Sequence, residues 1–276
     1  QGSATLVSGV LVLTFCTSII TGYILGSIYV NKGATLARVQ NDFVSAVSHE
    51  LRTPVTSIRL LLESLRDGRL ADTDRNEAMS LLARETDRLE QLVGKVLELS
   101  RLESGAHAYA RGRVEVGELV EEAIAAFDAC TLRQPTKVTT KVEPGLVATG
   151  DRATLVRALV NLLTNAWKDT GEDKRIEIEA HGFGRWIDIT VRDNGIGIPK
   201  DEQRSIYEQF NRGRGAIDGG KPGVGLGLAF VRAIVRGNRG KLSLESRPGE
   251  TAFHIRLRRR REPETATAQP PTRATT

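Results

Sequence analysis

His49 is followed directly by Glu50, and this pair can do chemistry. A neighbouring carboxylate can accept the Nδ1 proton of an imidazole and leave Nε2 as a nucleophile. A lone histidine on a helix is most often a packed or surface residue, but position argues otherwise here. His49 lies on a polar stripe with Asp42, Ser45, Arg52, Thr53, Thr56 and Arg59, beside an apolar seam, which predicts an imidazole open to solvent. Pro54, five residues on, removes a helix hydrogen bond and predicts a kink just after the histidine.

Three groups more than a hundred residues downstream point to phosphate and nucleotide. Asn161 and Asn165 are four apart on a predicted helix and share a face, where side-chain amides can hold a magnesium ion and its waters; Lys168 lies a turn further on, within reach of phosphate. Asp193-Asn194-Gly195-Ile196-Gly197-Ile198-Pro199 follows a predicted strand. Its glycines and proline force a turn where backbone approaches something closely, and its leading acid can accept hydrogen bonds from an exocyclic amine such as that of adenine. Gly223-Val224-Gly225-Leu226-Gly227-Leu228 opens a predicted helix after the glycine-rich run from Arg212 to Lys221. Glycine at every second position exposes backbone N–H groups to an anion, aided by the helix dipole. Each group alone has a plainer reading, as surface amides, an ordinary loop, or a dinucleotide-binding turn. The last is disfavoured because the βαβ unit with an acid about 20 residues further on is absent.

The elements that must position these residues fall into two kinds. Apolar residues recur at three- and four-residue spacing through Leu36, Val39, Phe43, Ala46, Val47, Leu51, Val55, Ile58, Leu61, Leu62 and Leu65, break at Asp67-Gly68-Arg69, and resume from Met79 to Leu102 before Gly105. Two such stripes predict an antiparallel helical hairpin. One hairpin has too little apolar surface to stand alone, so two copies are expected to pair into a four-helix bundle, a homodimer. From Val114 the pattern changes. Strands are predicted at Val114–Val116, Lys137–Val142, Arg175–Ala180, Trp186–Val191, Lys241–Glu245 and Ala252–Leu257, and helices at Glu118–Ala129, Ala153–Lys168, Glu202–Gln209 and Leu226–Arg236. This alternation predicts a two-layer α/β sandwich with helices over one face of a sheet.

Residues Ala4–Val30 form a stretch of 27 without a charge, and the first charged side chain is Lys32. Spanning the hydrocarbon core takes about 20 apolar residues, so a transmembrane helix is expected. Basic residues follow it and none precedes it, which places the remainder in the cytoplasm beneath the cytoplasmic membrane. The chain does not begin with Met, so a sensor segment is expected upstream. The formal charge is +5, and Arg256, Arg258, Arg259, Arg260 and Arg261 account for it. They read as a solvated strand end leading into a disordered tail rather than as a nucleic-acid or anionic-lipid patch. Cys16 and Cys130 have no CxxC or metal-ligand spacing, which argues against a disulfide or zinc site. The expected organisation is a membrane helix over 1–31, a dimerisation and phosphotransfer hairpin over 32–105, an ATP-binding domain over 106–258 and a tail over 259–276.

The run from Phe43 to Pro54, FVSAVSHELRTP, resembles the H box of two-component sensor histidine kinases. Downstream, Asn161–Lys168 resembles the N box, Asp193–Pro199 the G1 box, Tyr207–Phe210 the F box and Gly223–Leu228 the G2 box, in that family's order. The resemblance covers roughly Thr35 to Leu257. It implies that His49 is phosphorylated, that Glu50 assists as base, and that Thr53 positions water for dephosphorylating a response regulator. It further implies a Bergerat-type fold using ATP and Mg2+, with Asn165 on magnesium supported by Asn161, Lys168 near phosphate and Asp193 on adenine. Gly195, Gly197, Phe210, Arg212, Gly223, Gly225 and Gly227 would line the nucleotide, beneath a lid from about Asn211 to Pro222. The implied partners are a second copy, the receiver domain of a response regulator, and the membrane. Two departures stand out. Asp169 occupies a position where the family commonly has an aromatic, and Arg236-Gly237-Asn238-Arg239-Gly240 stands where His-Gly-Gly is frequent. Nor is there room between Val30 and His49 for the HAMP relay that often follows the membrane helix.

Overall fold

Three- and four-residue apolar spacing yields helices where it was expected. The computed structural model describes residues 15, 17–18, 20–23, 26–27, 45, 47–67, 72–131, 136–209, 211 and 225–260. A helix, α1, covers residues 47–66 and runs unbroken through Pro54. It carries an i,i+4 pair from Arg59 Nε to Glu63 Oε1 at 2.9 Å. The second, α2, covers Asp72–Glu103 and ends where Gly105 takes φ +72°, a conformation that costs glycine little. The chain divides into two compact units, 1–85 and 86–276, the division falling within α2. In the first unit Pro54 and Ala78 are buried, while Val55, Leu60, Leu62 and Met79 remain exposed.

The second unit is α/β. A short strand β1, Gly112–Glu115, pairs antiparallel with β3, Val147–Gly150. The main sheet also contains β2 (Val138–Val142), β4 (Ile176–Phe183), β5 (Trp186–Asp193), β6 (Lys241–Arg247) and β7 (Glu250–Arg258), in the order β2-β4-β5-β7-β6. Only the β2–β4 pair within it is parallel. Three helices pack on it: α3 (Val116–Cys130), α4 (Arg152–Asp169) and α5 (Gly227–Gly237). Alternate strand residues such as Ile178, Ile189 and Ile255 are buried together with Phe127, Leu159, Leu162 and Ile234 of the helices. The intervening row carries Glu177, Asp188, Arg192, Arg256 and Arg258 on the helix-free face.

Two expectations need correction. The helix expected at Glu202–Gln209 is a run of turns ending in a single 3₁₀ turn, Ser205–Tyr207. Its sequence offers one buried apolar residue, Ile206, and Gln203 Nε2 donates instead to the carbonyls of Ile198 (2.9 Å) and Ser246 (3.2 Å). Val116 begins α3 rather than ending a strand, and β3 was not foreseen. The residues described between 15 and 27 are helical. Among the described residues no helix is long and apolar enough to cross a membrane. Most of the expected membrane stretch, the lid beyond Asn211, Phe210, Arg212, Gly223 and the tail from Arg261 lie outside the described residues.

Candidate active site

His49 lies in α1 and is exposed, as are Ser45, Arg52, Thr53, Thr56 and Arg59 of its stripe; Glu50 is half-buried. The imidazole is thus open to solvent, which a nucleophile needs.

The remaining residues gather around the ends of α4 and α5. Helix α4 is started by Asp151, whose Oδ1 accepts the Thr154 amide at 3.0 Å. That fixes the phase of the helix and with it the face carrying Asn161 and Asn165. Asn161 Nδ2 donates to the Arg157 carbonyl at 2.8 Å, orienting its amide. Opposite stands Gly227, the first residue of α5. A Cβ built on Gly227 would lie 3.4 Å from Asn165 Oδ1 and 3.5 Å from Asn161 Oδ1, so the missing side chain leaves a cradle between the amide pair and the start of the helix. Gly225, just before, takes φ +71°, turning the chain into α5.

The turn after β5 meets the other end of α4. Asp193 is buried, and its Oδ1 accepts the Gly195 amide at 2.8 Å, which fixes the carboxylate at the strand end. The Asp169 carbonyl accepts the Ile196 amide at 3.4 Å, and a Cβ on Gly195 would come within 2.9 Å of that same oxygen. Asp169 therefore packs its backbone against the turn, in the place where the resemblance leads one to expect an aromatic side chain. Gly197, at φ +80°, has no room for a Cβ against the Arg247 carbonyl. Ser246 Oγ accepts the Ile198 amide at 2.8 Å and holds the turn from behind. Asn194 faces away, bridging the Arg175 amide (2.8 Å) and the Asp173 carbonyl (2.7 Å).

Lys168 is half-buried, and burial pushes its ammonium below the ordinary lysine range; Lys95 adds to the effect and Asp169 opposes it. An anion beside it would oppose that shift. Lys174, which sequence reasoning missed, closes the end of α4. Its Nζ donates to the Trp167 carbonyl at 2.7 Å and lies 5.1 Å from the Trp167 ring centroid.

At the opposite end, Asn238 joins α4 to α5. Its Oδ1 accepts the Asp151 amide at 2.6 Å, and its Nδ2 donates to Thr154 Oγ1 (3.1 Å) and the Ile234 carbonyl (3.0 Å). Here the departure from His-Gly-Gly is structural. Asn238 terminates α5, and Arg239 follows with φ +58°. Ahead of β1, the Ala110 amide donates to Asp151 Oδ2 at 2.8 Å and Arg111 donates to the Gly237 carbonyl at 2.6 Å. Nothing in local sequence marks these long-range partners.

The structure therefore brings together Asn161, Asn165 and Gly227, and joins the end of α4 to the turn holding Asp193, Gly195 and Gly197. His49, Glu50 and Thr53 belong to the other unit. Among the described residues there is no cluster of three His, Cys, Asp or Glu side chains able to hold a metal. An amide pair is the weaker kind of donor set that suits a magnesium ion keeping its waters and sharing phosphate oxygens.

Comparison with known proteins identifies the family. Residues 39–105 match the His Kinase A (phospho-acceptor) domain, and residues 150–261 match the histidine kinase-, DNA gyrase B- and HSP90-like ATPase family. The chain is 34% identical over 226 residues to the sensor-like histidine kinase SenX3 of Mycolicibacterium smegmatis, covering 80% of this chain and 59% of that one. It is 32% identical over 252 residues to the sensor protein kinase WalK of Staphylococcus saprophyticus, covering 87% and 40% respectively. The chain thus spans about half the length of the curated relatives it matches. Among solved structures, full-length ShkA in complex with AMPPNP superposes with TM-score 0.59 at 25% identity, covering 78% of this chain and 45% of that one. Histidine kinase ThkA in complex with the response regulator TrrA shares the fold, with TM-score 0.64 at 21% identity over 79% of this chain and 61% of that one. With a phosphoacceptor domain and a kinase-type ATPase domain in succession along one sequence, the chain belongs to the two-component sensor histidine kinases.

Proposed function

We propose that this chain is the membrane-anchored kinase core of a two-component sensor, autophosphorylating His49 from ATP and passing the phosphoryl group to an aspartate of a response regulator. The observation that carries the reading is the cradle at Gly227 between Asn161 and Asn165, on the same unit as the Asp193 turn. Asn165, with Asn161 behind it, would hold magnesium. When bound, magnesium neutralises phosphate charge in a loose transition state. Lys168 and the first amides of α5 would steady the phosphates, and the fixed Asp193 carboxylate would accept from the adenine amino group. Glu50 would hold the Nδ1 proton of His49 and leave Nε2 to attack, while Thr53 would orient water for the reverse, regulator-directed reaction.

The exposed apolar residues Val55, Leu60, Leu62 and Met79 favour pairing of two hairpins into a homodimer. The uncharged stretch Ala4–Val30 favours placement in the cytoplasmic membrane with the catalytic part in the cytoplasm. Incubation of the chain with γ-labelled ATP and magnesium tests the central claim. Acid-labile label is expected on the wild type, absent from His49→Gln and strongly reduced in Asn165→Ala. A wild-type chain that binds ATP yet acquires no acid-labile label defeats the kinase assignment.

A further inference from the structure

We propose that the hairpin end of the five-stranded sheet docks on an anionic membrane surface. The β4–β5 turn is two residues long, Gly184 at φ +56° and Arg185, so Phe183 and Trp186 face each other across it. Both lie on the helix-free face, and Phe183 is 76% exposed. Arg258, at the end of β7, is the register partner of Trp186. The guanidiniums of Arg185 and Arg258 lie 5.5 and 5.8 Å from the Trp186 ring centroid, flanking an indole with two cations. The Arg259 amide donates to the Arg185 carbonyl at 3.0 Å and the Arg260 amide to the Val147 carbonyl at 2.7 Å, so backbone bonds hold the arginine run at this edge.

Elsewhere on that face, two arginines are neutralised. Arg256 pairs with Asp188 at 2.7 Å, and Arg192 pairs with Glu250. Among the described residues Arg185, Arg258, Arg259 and Arg260 have no such carboxylate. The nearby Glu143 spends Oε2 on the Gly182 amide at 2.8 Å. A structural cluster would carry acids to relieve its repulsion. Unpaired arginines around an indole and an exposed phenyl ring match a bilayer interface, where aromatic rings settle at headgroup level and anionic lipids attract cations.

The setting rests on the membrane anchoring proposed above, which would hold this surface close to lipid at high effective concentration. Asp193 lies seven residues along β5 from Trp186, about 24 Å away, so altering the patch leaves the nucleotide site intact.

The test uses the full chain carrying Trp167→Phe, which leaves Trp186 as the only tryptophan. It is mixed with vesicles bearing a shallow lipid-borne quencher, either phosphatidylcholine alone or with about a third phosphatidylglycerol. Quenching of Trp186 is expected in the anionic vesicles, weak in the neutral ones, and reduced by salt. Each cation near an anionic surface multiplies partitioning about fivefold, so Arg185→Glu with Arg258→Glu should lower it at least about 25-fold, with the variant's thermal unfolding confirming its fold. Equal quenching in both vesicles, none in either, or a response to a single-stranded oligonucleotide but not to anionic vesicles overturns the proposal. Vesicle flotation of the same chain scores the anchor separately, since an anchored chain with an unquenched Trp186 refutes the patch alone.

Discussion

Replacing Gly227 with alanine separates packing from ligand binding at the amide cradle. Gly227 begins α5 outside the left-handed region, so alanine is conformationally admissible there. The added methyl meets Asn165 Oδ1 at 3.4 Å, Asn161 Oδ1 at 3.5 Å and Asn165 Nδ2 at 3.6 Å, which is contact rather than collision. Alanine in place of glycine in a helix is worth about 0.5–1 kcal/mol, or roughly 1–4 °C in Tm for a unit of this size. The same methyl fills the space through which phosphate oxygens or magnesium-bound water would reach the amides. Loss of one contact to a charged group costs about 1.5–3 kcal/mol, roughly a 10- to 150-fold rise in Kd. Thermal unfolding without nucleotide and titration calorimetry with ADP and magnesium read the two effects independently. A variant with raised Tm and unchanged nucleotide affinity would refute the cradle as the phosphate side of the site. A variant with lowered Tm would refute the packing from which the argument starts.

Other substitutions probe the surroundings. Arg239→Gly relieves a non-glycine residue at φ +58° and should stabilise the fold by about 1 kcal/mol, seen in urea unfolding. Asn238→Ala leaves the buried Asp151 amide without its acceptor and should cost about 2–4 kcal/mol, with nucleotide affinity falling as the α4–α5 pairing loosens. Lys168 is held below its ordinary pKa chiefly by burial, so the folded chain sheds that proton before the unfolded chain does. Stability should therefore rise with pH from the depressed folded pKa toward the ordinary lysine value, and Lys168→Met should abolish that rise in unfolding measurements while weakening nucleotide binding.

Much of the site was legible because its chemistry is local in sequence. Asn161 and Asn165 advertise a shared helix face, and Gly195, Gly197 and Gly227 occupy places where backbone or amide groups approach within contact distance. The exposure of His49 followed from its polar stripe. What escaped depends on contacts between distant segments. β3 is four residues long and mostly buried, so it shows no alternation to read. Glu202–Gln209 has helix-forming residues, but Gln203 spends its side chain on the carbonyls of the preceding turn and of β6. The parallel β2–β4 pairing, the Asn238 junction and the Lys174 cap bring together residues whose partners no spacing rule identifies.

The Asn238 junction also makes α4 and α5 a pair of tongs. They are pinned where α4 begins and α5 ends, and they grip between Asn161 and Gly227. Asn161 stands ten residues along α4 from Asp151, about 15 Å from the pin at 1.5 Å per residue. A swing of about 4° at the pin therefore opens the jaws by about 1 Å, enough to release a phosphate contact without breaking either helix. Ala110 and Arg111 hold the same pin from outside, through Asp151 and Gly237. A pull on the segment leading out of α2 would thus reach the grip as leverage, with no rearrangement of the sheet.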